Sequence, residues 1–177
     1  MFIRIPLIFI IYSMKENFAA RRSSLAEKVL DDSAIIVGSA PVKSRISDTD
    51  YAYRQDSNFY YLSGYKEPES LLLLRPGHNT EKFVIFCRDR DPLREQWDGF
   101  RTGQDGAISN YGADAAYSIN AIDKLLPGML DGIKNIYFSM SAPCGVDLKI
   151  KECLELIRSN TRAVSYTHLT LPTKEGV

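Results

Sequence analysis

Hydrophobic residues recur along this chain with two different periods. Over residues 16–30, Phe18, Arg22, Leu25 and Val29 return at helical spacing with Ala19, Ala26 and Leu30 beside them. One apolar stripe with a charged back predicts an amphipathic helix. Asp31-Asp32-Ser33 breaks that pattern, and Ala34-Ile35-Ile36-Val37 before Gly38 is apolar on both sides of any pleat. Such a run reads as a strand covered on both faces. Helix followed by buried strand points to an α/β domain.

The same logic places a second buried strand at Leu71 to Leu74 and a third at residues 82–87, separated by the turn composition Arg75-Pro76-Gly77-His78-Asn79. A tight turn pairs its flanking strands antiparallel, so the sheet is expected to be mixed. Between the first two strands, Ser57 is expected to cap a short helix over 58–63 that Gly64 ends in a left-handed turn. Pro68 then holds Glu67 extended. Further on, Asp91 and Pro92 open a short helix closed by Gly99. Short helices are expected at 106–111 and 119–126, the second stopped by Pro127-Gly128. Ile136 to Phe138 reads as a last strand. Val146, Ile150, Cys153, Leu154 and Ile157 share one face of a helix over 147–158. No repeat or linker interrupts this mixed α/β unit.

Two ends stand apart. Residues 1–13 form a mostly apolar run shorter than the roughly 20 residues that span a bilayer, and they read as a mis-set start or a signal-like extension before Met14. Residues 164–173, Val-Ser-Tyr-Thr-His-Leu-Thr-Leu-Pro-Thr, look like the in-frame translation of a transposase-type sequencing adaptor. Residues 161–177 are therefore expected to be a non-native tail without packed contacts, and the domain to occupy residues 14–160.

Length and composition add limits. A chain of 177 residues suits one domain with one core. Lys plus Arg and Asp plus Glu both number 22, which leaves no basic excess for nucleic acid, and no membrane association is expected. Cys87, Cys144 and Cys153 match neither a disulfide framework nor a zinc knuckle, so they read as core residues in a reducing, cytoplasmic setting.

Candidate chemistry is sparse. Outside the tail the sole histidine is His78, in a turn. There is no zinc-protease helix motif, nucleophile elbow or phosphate-cradling glycine loop. Asp89, Asp91, Glu95 and Asp98 alternate with Arg88, Arg90, Arg94 and Arg101, which reads as self-neutralising surface pairs. Trp97, the single tryptophan, lies in this charged segment. It either lids the edge of the core or faces a ligand at the carboxyl end of a strand.

The least ordinary stretch is Tyr53-Arg54-Gln55-Asp56-Ser57-Asn58-Phe59-Tyr60-Tyr61-Leu62-Ser63-Gly64-Tyr65, followed by Glu67-Pro68-Glu69. It resembles the signature of the N-terminal domain of aminopeptidase P, the Xaa-Pro aminopeptidases. Arg90-Asp91, Glu95, Trp97, Gly99, Arg101 and Gly103 resemble that domain's second motif. The resemblance implies a mixed sheet covered by helices, which shapes the substrate cleft of a metallopeptidase and mediates contacts in a homo-oligomer. It also implies a separate catalytic domain of pita-bread fold, absent here, holding two manganese ions on two Asp, one His and two Glu. That enzyme would act on peptides with proline in second position. By resemblance, Trp97 is a cleft or interface residue, while Arg54, Gln55, Asp56, Phe59, Tyr61, Gly64, Glu67, Pro68, Glu95, Gly99 and Arg101 shape the motifs. No catalytic or metal-ligating residue is expected in this chain. Two alternatives share the architecture: a stand-alone binding module, as in a histone-chaperone subunit, and the N-terminal domain of a prolidase or creatinase.

Overall fold

The computed structural model describes residues 7–46, 49–139 and 146–162. Of the expected tail over 161–177, residues 163–177 lie outside the described residues, as does Cys144, whereas residues 161 and 162 complete the last helix.

A five-stranded sheet is the centre of the domain. Its strands are β1 (Ser33–Gly38), β4 (Leu71–Leu74), β5 (Phe83–Cys87), β6 (Ala115–Ser118) and β7 (Asn135–Phe138). A small separate ribbon pairs β2 (Ser44–Ile46) with β3 (Thr49–Asp50). The spatial order is β6-β5-β4-β1-β7. The expected hairpin is present, with Leu71 opposite Phe86 and Leu74 opposite Phe83. β1 pairs antiparallel with β4, and the two outer strands pair parallel, β6 with β5 and β7 with β1. The sheet is therefore mixed, as the tight turn requires.

Each face of the sheet carries its own apolar cluster, where one core was expected. Alternate residues explain it: Ala34, Ile36, Leu71, Leu73, Val84 and Phe86 point one way, Ile35, Leu72, Leu74, Phe83, Ile85 and Cys87 the other. The first set packs on α5 (Ile122–Leu130) and α6 (Val146–Arg162) through Ile122, Leu126, Leu130, Ile150 and Cys153. The second packs on α2 (Ser57–Ser63) and α4 (Gly103–Tyr111) through Phe59, Leu62 and Ala107, with Leu25 and Val29 at its border.

Several boundaries differ from the sequence reading. α1 runs over Leu7–Ala26, so it crosses Met14 and ends before Leu30. Val29 donates its N–H to the Ala26 carbonyl, which marks a tightened turn rather than a further helical turn. α5 continues through Pro127 to Leu130. The burial of Ile122, Leu126 and Leu130, one turn apart on one face, outweighs the proline penalty. β6 was not expected. Its Ala-Ala-Tyr-Ser sequence lacks β-branched residues, and its pairing is set by tertiary contacts: Asp114 N–H donates to the Phe83 carbonyl, and Phe83 N–H to Asp114 Oδ2, both at 2.8 Å.

Candidate functional site

The first motif is braced from within by Gln55. Its Oε1 accepts from the amides of Ala40 and Asp56 at 2.9 Å, and lies 2.9 Å from the Tyr53 hydroxyl. Its Nε2 donates to the carbonyls of Glu67 (2.9 Å) and Tyr65 (3.4 Å). One amide side chain thus ties both ends of the motif together around α2. Asp56, not Ser57, is the N-cap: its Oδ1 accepts from Asn58 and Phe59 amides at 2.9 Å. The carboxylate wins because it satisfies two orphan donors and carries charge favourable to a helix N-terminus.

The other end of α2 closes as its glycine predicts. Gly64 is left-handed, with φ 71°, and a Cβ there would stand 2.6 Å from the Phe18 ring of α1. Only glycine meets both demands. Arg21 and Arg22 of α1 donate to the carbonyls of Tyr61 (3.2 Å) and Leu62 (2.9 Å), placing cations where the helix dipole is negative. Phe59 is fully buried, whereas Tyr61 is exposed with its ring under Arg21.

The second motif builds α3 (Pro92–Asp98). Asp91 Oδ1 caps it by accepting from Leu93 and Arg94 amides at 3.1 and 3.2 Å. Arg90 grips Glu95 with both Nε and Nη2, at 3.1 and 2.9 Å, and stacks on Phe100. Gly99 ends the helix at φ 84°. Trp97 is 89% exposed, with Leu93 and Phe100 also open at 76% and 70%. The indole does not lid the core. It is exposed on α3 together with Leu93, with Phe100 open just past the helix end.

Glu67 joins the two motifs. Its Oε1 accepts from the Thr102 amide at 2.8 Å and from the Thr102 hydroxyl, and its Oε2 is 3.6 Å from Arg88 Nη2. Pro68 follows, and Glu69 adopts a left-handed φ of 50° as the chain turns into β4. Arg101 is buried and donates to the Asp89 carbonyl. Arg88 and Arg101 are therefore not the surface pairs expected from the alternating charges; Arg90–Glu95 and Arg94–Asp91 are. Asp89 is surrounded by neutral donors instead. Ser118 Oγ at 2.6 Å, then Gln104 and Asn120 amides, hold its carboxyl below the usual range. Thr102, Gln104 and Ser118 were not singled out from sequence, and Arg88 was read only as a surface charge, since their roles depend on partners far along the chain.

Burial pushes the Cys87 thiol up to about 11, with the Tyr65 hydroxyl acting in the opposite sense, and burial likewise pushes Tyr65 far above its ordinary value. A protonated, buried thiol is inert. His78 Nδ1 accepts from the Thr80 and Glu81 amides at 3.3 and 2.9 Å and so serves its turn. Among the described residues no three His, Cys, Asp or Glu side chains converge as metal ligands would. The manganese pair implied by the resemblance finds no fitting donor set among them.

A sequence profile described as "Aminopeptidase P, N-terminal domain" matches residues 18–137, which contain both motifs and the Glu67 junction. The chain belongs to the aminopeptidase P N-terminal domain family. Among its relatives, the Xaa-Pro aminopeptidase of Escherichia coli K12 is 34% identical over 149 residues, covering 84% of this chain and 34% of that protein. Human Xaa-Pro aminopeptidase 3 is 38% identical over 121 residues, covering 66% and 24%. The structure of Pseudomonas aeruginosa aminopeptidase PepP superposes with a TM-score of 0.82 at 42% identity, over 92% of this chain and 35% of that one. Zinc-substituted E. coli aminopeptidase P in complex with product gives 0.80 at 34% identity, over 84% and 34%. This aminopeptidase P N-terminal domain thus spans about a third of the length of such relatives. No helix among the described residues is long and apolar enough to cross a membrane.

Proposed function

We propose that this chain is the non-catalytic N-terminal part of a Xaa-Pro aminopeptidase, a cytoplasmic, manganese-dependent exopeptidase that releases the residue preceding proline. Its role is to shape the substrate cleft and to supply contacts between subunits. The observation that carries this reading is the exposure of Leu93, Trp97 and Phe100, on and just beyond the helix that Asp91 caps and the Arg90–Glu95 fork braces. An indole left open on a braced helix costs solubility unless something covers it. Tryptophan is also a favoured anchor in interfaces. On this reading the manganese ligands would belong to a further domain. Buried, unpaired Cys87 and Cys153 suit a reducing compartment. Sequencing the locus downstream of codon 162 tests the proposal. An in-frame Asp, Asp, His, Glu, Glu ligand set supports it, and an in-frame stop soon after that codon overturns it in favour of a stand-alone module.

A further inference from the structure

One residue of the first motif takes no part in bracing it. Tyr53, Gln55 and Asp56 are each engaged in the hydrogen bonds that hold the loop and cap α2. Arg54, between them, is exposed and has no hydrogen bond or ion pair among the described residues. The expectation that it holds the loop together therefore meets no contact. It lines a concavity of about 360 Å³ with Tyr53, Gln55, Ser57, Tyr60 and Lys66. Lys66 has no carboxylate partner among the described residues either, and its ammonium stands 5.9 Å from the Tyr60 ring centroid. The wall of this concavity thus holds two cations and no acid, in a protein whose formal net charge is zero.

We propose that Arg54 and Lys66 form a docking site for an acidic polypeptide segment, on a surface separate from that of Trp97. The guanidinium offers its planar fork to a carboxylate, and Tyr53 and Tyr60 offer ring surface to the methylenes of an Asp or Glu stem. Carboxylate is favoured over phosphate because the nearby α2 amides of Asn58 and Phe59 are already taken by Asp56. A phosphate would find those two backbone donors already occupied. The uncompensated charge explains why a motif otherwise devoted to internal hydrogen bonds presents an arginine to solvent.

The test is a titration of the isotope-labelled full chain, followed by NMR, with capped hexaglutamate, capped hexaglutamine and inorganic phosphate. Hexaglutamate is expected to give saturable shifts centred on Arg54, Tyr60 and Lys66, weakening as salt rises from about 50 to about 200 mM. The double variant R54A/K66A is expected to lose at least about tenfold in affinity while keeping the wild-type thermal midpoint, since neither side chain braces the fold. No saturable shift, shifts that persist in R54A/K66A, or equal shifts with hexaglutamine would each overturn the proposal. Phosphate saturating the same residues as tightly as hexaglutamate would overturn the assignment to carboxylate.

Discussion

Glu67 Oε1 accepts both the backbone amide, at 2.8 Å, and the hydroxyl of Thr102, 35 residues further along the chain. With Arg88 on its second oxygen, this carboxylate fastens the first motif to the second. Glu67→Ala leaves Arg88 without its partner and the Thr102 amide without an acceptor. The expected loss is about 2–3 kcal/mol in urea unfolding, with Glu67→Gln intermediate because one carbonyl acceptor remains. A loss below about 0.5 kcal/mol for the alanine variant would show that the junction is incidental.

The cap of α2 separates two adjacent residues. Asp56→Ala should cost about 1 kcal/mol, while Ser57→Ala, which removes no capping hydrogen bond, should stay within about 0.5 kcal/mol. Equilibrium denaturation of the two variants decides between them; the reverse order would restore Ser57 as the cap.

Asp89 gives the domain a defined acid limb. Its folded-state pKa lies below the unfolded value, chiefly through the Ser118 hydroxyl. Its contribution to stability is therefore fully present above about pH 4, near the unfolded pKa, and is lost as pH falls through the depressed folded value. Comparing wild type with Asp89→Asn across that range, the stability difference should shrink as pH falls. A difference that grows on acidification contradicts the assigned hydrogen bonds.

Trp97 at 89% exposure contributes nothing to the core. Trp97→Ala should leave the stability of this chain unchanged within about 0.5 kcal/mol. A loss above about 2 kcal/mol would mean that the indole packs on the domain after all.

The sheet was largely legible because its strands are covered on both faces, so β1, β4 and β5 appear as unbroken apolar runs. The glycine at 64 and the Asp91-Pro92 pair likewise announced their turns through backbone chemistry that is local by nature. β6 was not legible, since Ala115 and Ala116 have no strand preference of their own and follow β5 through Asp114. The candidate site was legible as an identity but not as a geometry. Glu67, Arg88 and Thr102 meet only once β4 and β5 are paired, and no local pattern announces that meeting. The idle Arg54 looked no different in sequence from the busy Gln55 beside it.

Under the proposed function this domain assists chemistry that it does not perform. The most direct test is to incubate the purified chain with manganese and an Xaa-Pro peptide and to measure release of the N-terminal residue. No release above the manganese-only control is expected; turnover proportional to the concentration of the chain would contradict the account.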